Sequence, residues 1–168
     1  MGYRISSLNN LPSNLECYYF LIGDYSFDST VNNLFRNSFR SLADALGENI
    51  AIIEKTNNGK LERDLLNTLY TNPNLMETIE KWERNTPGLL IMWCHPSDLT
   101  DNESLVYIPF LTLADVYDTN VNALFADLVS YAKYENTNLI DKIKDKHRII
   151  KGVSLSVNLG IFAINIDL

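Results

Sequence analysis

Apolar residues fall along this chain in two rhythms: short continuous runs, and longer stripes at helical spacing. Cys17-Tyr18-Tyr19-Phe20-Leu21-Ile22, Ile50-Ala51-Ile52-Ile53 and Leu89-Leu90-Ile91-Met92-Trp93-Cys94 are runs without polar alternation. Such runs read as strands buried on both faces of a sheet. After the capping oxygens of Asp28, Ser29 and Thr30, Val31, Leu34, Phe35, Leu42, Ala45 and Leu46 fall near one stripe, and Gly47 closes the helix. Leu61, Leu65, Leu66 and Leu69 make a second stripe. Asn72-Pro73 starts a third, lined by Leu75, Met76, Ile79 and Trp82, with proline at its first helical position. Strand, helix, strand, helix, strand implies an α/β fold with parallel strands and crossover helices.

The second half departs from strict alternation. Leu105 to Ile108 reads as a strand that Pro109 ends or confines to an edge. Leu113, Val116, Tyr117, Val121, Leu124, Phe125 and Leu128 form a long stripe with an interruption near Asp118-Thr119, and Asn138 caps a shorter helix. From Val153 to Ile161 apolar residues alternate, and after Gly160 the phase moves to Phe162, Ile164, Ile166 and Leu168. Strand side chains have period two, so this shift calls for one bent strand or a hairpin.

The expected architecture is therefore a polar arm over 1–14 and a single three-layer α/β domain over 15–168. Its sheet is mostly parallel but mixed, with a C-terminal antiparallel strand or hairpin. Strands are expected over 17–22, 50–54, 89–94, 105–108 and 153–167, and helices over 29–46, 60–70, 74–84, 113–134 and 138–148. The expected core holds Phe20, Ile22, Leu34, Leu42, Ile52, Leu90, Met92, Leu124, Leu128, Val157 and Ile164.

Composition narrows the function classes. The chain has 168 residues, is 46% hydrophobic and carries a net charge of −7. That balance excludes low-complexity classes and argues against nucleic acid, whose phosphates require a basic surface. No apolar run reaches the ~20 residues of a bilayer span. Two cysteines, both in apolar runs, make no disulfide framework, and no secretory leader is read at the N-terminus, so the cytoplasm is the expected compartment.

Phosphate-binding glycine motifs, a G-x-S-x-G elbow and closely spaced zinc ligands are all missing from the sequence. No cofactor and no resident metal are expected. The candidate chemistry lies after the first and third strands, because ligands of open parallel sheets bind beyond the carboxyl ends of the strands. Asp24 leaves the first strand, while His95 and Asp98 leave the third, with Asp101 close behind. If the strands are neighbours, Asp24 and His95 share one crevice as an acid–base pair, and Asp98 orients the imidazole or helps hold Mg²⁺. A small metal-assisted hydrolase or nucleotide-processing enzyme is the catalytic alternative.

The leading expectation is a non-catalytic interaction module. Seven acidic residues (Asp98, Asp101, Glu103, Asp115, Asp118, Asp127, Glu135) stand against Lys133, and the next stretch carries Lys142, Lys144, Lys146 and Arg148. Such a bipolar surface steers a protein partner or a second copy of the chain, with the basic residues as its contact set and with no role for nucleic acid or membrane.

Overall fold

A computed structural model describes residues 1–23, 30–75, 79, 87–99, 105–118, 120–134, 136–147, 157–159 and 162–164. Its elements in chain order are β1 (Gly2–Ile5), β2 (Cys17–Ile22), α1 (Thr30–Leu46), β3 (Ile50–Lys55), α2 (Leu61–Leu69), β4 (Gly88–Met92), β5 (Leu105–Pro109), α3 (Phe110–Tyr117), α4 (Val121–Tyr134), α5 (Asn138–His147), β6 (Val157–Leu159) and β7 (Phe162–Ile164). Short 3₁₀ turns lie at Leu8–Asn10, Pro73–Leu75 and Pro96–Asp98. The sheet runs in the order β1-β3-β2-β4-β5-β6-β7.

The continuous apolar runs form the middle of this sheet because each of its faces is covered. Cys17, Tyr19 and Leu21 join Ile50, Ile52, Leu89, Ile91, Val106 and Ile108 in one cluster with α1, α3, α4 and α5. Tyr18, Phe20 and Ile22 point the other way and pack with Ala51, Ile53, Leu90 and Met92 against α2. Burying one such side chain completely contributes about 1.5–3 kcal/mol, so the alternation of the two sets commits every central strand to its register. In α1 the seam runs through Phe35, Leu42, Ala43 and Leu46, with Leu34 and Phe39 half-buried beside it. Ala45, placed on that seam from sequence, is exposed.

Of the expected core, Phe20, Ile22, Leu42, Ile52, Leu90, Met92, Leu124 and Leu128 are buried, and Leu34 is partly buried. The side chains of Val157 and Ile164 lie outside the described residues, as does most of the helix expected over 74–84.

Three features differ from the sequence-based expectation. Residues 2–5 of the supposed arm form β1, an edge strand parallel to β3 with Arg4 opposite Glu54. The sheet is mixed, but among the described residues only β1/β3 and β2/β3 are parallel. β4 runs antiparallel to both β2 and β5, so the sheet is not mostly parallel. A run buried on both faces carries no signal of its direction, and the connection holding α2 and the Pro73–Leu75 turn returns the chain in the opposite sense. The long helix expected over 113–134 is two helices. Asp118 has φ 50°, ending α3, and the Asn120 side-chain oxygen accepts from Ala123 N–H at 3.1 Å, capping α4.

Candidate functional site

Antiparallel pairing of β2 and β4 decides where the expected site residues stand. Tyr18 lies opposite Met92, and Ile22 lies opposite Gly88. His95 therefore leaves the sheet where β2 begins, and its ring stands edge-on to Tyr18 at 5.7 Å between centroids. Gly23, which leads toward Asp24, leaves at the other end, with Tyr18–Ile22 spanning about 13 Å between the two ends. Asp24 itself lies outside the described residues, as does Asp101. Gly23 and His95 thus leave the sheet at opposite ends, and the expected Asp24–His95 pair lies outside the described residues.

His95 serves its own turn. Its Nδ1 accepts from Ser97 N–H at 3.2 Å and lies 2.6 Å from Ser97 Oγ, capping the Pro96–Asp98 turn. Ser97 Oγ donates to Asp98 Oδ1 at 3.0 Å. The hydroxyl thus stands between imidazole and carboxylate, and Asp98 does not orient the ring directly. Among the described residues no three His, Cys, Asp or Glu side chains come together as a metal-ligand set.

The basic run is also divided. Lys142 Nζ donates to Asp127 Oδ2 and lies 5.5 Å from the centre of the Tyr117 ring. Tyr117 OH donates to the same Asp127 oxygen at 2.7 Å, which ties α3, α4 and α5 together. Lys142 is itself exposed, but its ammonium is engaged by Asp127. Lys144 is partly exposed, whereas the Lys146 side chain and Arg148 fall outside the described residues.

A different constellation gathers at the carboxyl ends of the parallel strands β1, β3 and β2. Glu54, only 6% exposed, sits near the end of β3 between Arg4 of β1 and Leu21 of β2. It accepts from Arg4 Nε at 2.7 Å. The Arg4 guanidinium also lies over the Phe39 ring, 5.6 Å from its centre. One residue on, Lys55 pairs with Glu62 of α2 at 3.3 Å. Glu62 accepts from Gly23 N–H at 2.8 Å, which joins α2 to the end of β2. Glycine is required there, since its φ is +123° and a Cβ would lie 2.3 Å from Pro87 Cβ.

The turn after β3 is stitched to the end of β1: Thr56 N–H donates to Ile5 O at 3.0 Å and Lys60 N–H to Ser6 O at 2.6 Å. Between these groups lies a cleft of about 310 Å³ lined by Arg4, Arg36, Glu54, Lys55, Thr56 and Asn57. Arg4 and Lys55 are each paired with one carboxylate, Glu54 and Glu62, and the Arg4 guanidinium, the Thr56 hydroxyl and the Asn57 amide are donors suited to an anionic group. Sequence reading misses Arg4 and Glu54. The available signal is Glu54-Lys55 ending an otherwise apolar strand run. Arg4, within a polar stretch, offers none.

No family model, curated protein or solved structure matches the chain.

Proposed function

We propose that this chain is a non-catalytic binding module that takes an acidic, extended segment of a protein partner along the β1 edge of its sheet. In this reading residues 15–168 make one three-layer α/β domain with a C-terminal hairpin, and residues 2–5 extend the sheet to present a docking edge. The observation that supports it is an edge strand with no outer neighbour among the described residues, lying beside a cleft lined by Arg4, Arg36 and Lys55.

The carbonyls of Met1 and Ile5 accept from β3-side N–H groups. By ladder alternation Gly2 and Arg4 then turn their own N–H and C=O groups outward. An extended segment would pair with that row, and its acidic side chains would meet the cleft. A second copy docking edge to edge would instead bring two Arg4 side chains onto one short ribbon, a like-charge pairing that favours a foreign partner.

The test is fluorescence anisotropy with a labelled peptide alternating Glu and Val. Binding should weaken as salt rises from about 50 to about 500 mM, through a shorter screening length. It should vanish when alternate peptide amides are N-methylated, and when Glu is replaced by Lys. Binding indifferent to both changes, or no binding at all, would remove the reading.

A further inference from the structure

Arg4 is held from two sides. Glu54, nearly buried, takes its Nε, and the guanidinium carbon lies over the Phe39 ring, 5.6 Å from its centre. Each contact limits the rotamers of a side chain that is otherwise 66% exposed. Among the described residues, the two terminal Nη nitrogens make no hydrogen bond, and neither do the side chains of Thr56 and Asn57 that line the same cleft. With Glu54 holding Nε and the Phe39 ring beside the guanidinium, the Nη fork is the part of Arg4 available to a ligand. Such a fork matches the two oxygens of a carboxylate or phosphate, and part of its entropy of ordering is already lost in the unliganded fold.

We infer that Arg4 is a preorganised anchor for one oxyanion, bound through its two Nη nitrogens with the Thr56 hydroxyl and Asn57 amide as supporting donors. For the natural source of that oxyanion, a Glu or Asp carboxylate of the docked segment, the inference rests on the edge-docking reading. The shared chemistry admits a free phosphate as the other source. Glu54 is a positioning residue in this arrangement, acting only through Arg4.

The experiment titrates orthophosphate into the labelled full chain at ionic strength held constant with chloride, following the Arg4 side-chain N–H resonances by NMR. The Glu/Val peptide is titrated in parallel, and each variant's circular dichroism is checked against the parent. A saturable shift at Arg4 is expected in the parent. Read from the Thr56 and Asn57 backbone amide resonances, which every variant keeps, phosphate binding should be lost in Arg4→Ala and weakened at least about five-fold in Arg4→Lys, which keeps the charge but not the fork. Glu54→Gln, which keeps an acceptor oxygen, should preserve the site. Equal phosphate binding by Arg4→Lys and the parent, or shifts that bypass Arg4, would overturn the anchor. Peptide binding that survives Arg4→Lys unchanged yet is abolished by N-methylation would overturn the anchor while sparing the edge. An Arg4-dependent phosphate response without peptide binding would uphold the anchor, make its ligand a free anion, and defeat the edge reading.

Discussion

His95 stands edge-on to Tyr18, 5.7 Å away, at the end of the sheet where β2 starts. Tyr18 is itself fixed, its hydroxyl donating to Pro12 O at 2.9 Å and accepting from Leu15 N–H at 3.3 Å. The imidazole thus supplies a cap and a ring contact. His95→Ala should lower stability by about 1 kcal/mol, the usual scale of a lost cap and a modest aromatic contact. It should leave peptide or phosphate binding at the Arg4 cleft unchanged. Urea denaturation beside the binding assays checks both, and a loss of binding with stability intact would return His95 to the functional site.

Lys142 shares Asp127 with Tyr117, and the Asp127 side chain is 12% exposed. Lys142→Glu should cost about 1 kcal/mol by setting two carboxylates against each other, the half-exposed position 142 letting solvent screen part of the repulsion. Lys144→Glu, one residue pair further along α5, should change stability by no more than about 0.5 kcal/mol. The double change Asp127→Lys with Lys142→Glu should recover part of the loss in a mutant cycle. Equal effects of the two single reversals would show that the tie carries no stability.

Two buried tyrosines make opposite predictions. Tyr19 OH donates to Leu128 O at 2.7 Å, whereas Tyr131 OH has no hydrogen-bond partner among the described residues. Tyr131→Phe keeps the edge-on packing against Trp93, 5.2 Å between centroids, and removes an unpaired buried hydroxyl. It should stabilise by about 0.5–1 kcal/mol, while Tyr19→Phe should destabilise by about 1 kcal/mol. Thermal and urea unfolding of both variants decide the matter. Destabilisation by Tyr131→Phe would mean that the hydroxyl is satisfied after all.

Burial pushes up the Cys17 thiol and the phenols of Tyr19, Tyr107, Tyr117 and Tyr131, with the Asp127 hydrogen bond adding to the effect at Tyr117. These groups are neutral when protonated, and the fold holds their protons more tightly than the unfolded chain does. Their contribution is therefore complete below the unfolded values, about 8.5 for the thiol and about 10 for the phenols. It is lost progressively as pH rises from there toward the folded values. The urea midpoint should fall between about pH 8 and about pH 11, with tyrosinate absorbance of the buried set appearing together with unfolding. Tyrosinate signal from the whole set in a still-folded protein would contradict this.

Residue patterning alone was enough to assign most of the elements. Phe20, Ile52 and Leu90 sit in runs too apolar to be anything but buried strands, and the Phe35–Leu42–Leu46 spacing needs one covered helix face. Those are local statements, set by period and burial, and they survive in any arrangement of the strands. Direction and adjacency are not local. A strand such as Leu89–Met92, apolar on both faces, packs equally well either way round, so nothing in its residues told His95 which end of the sheet it would reach. Arg4 and Glu54 lie 50 positions apart, the first in a stretch too short and polar to announce a strand. Only the pairing of β1 with β3 sets a guanidinium against a nearly buried carboxylate, because a charge that leaves water needs a partner and the partner came from a distant part of the chain.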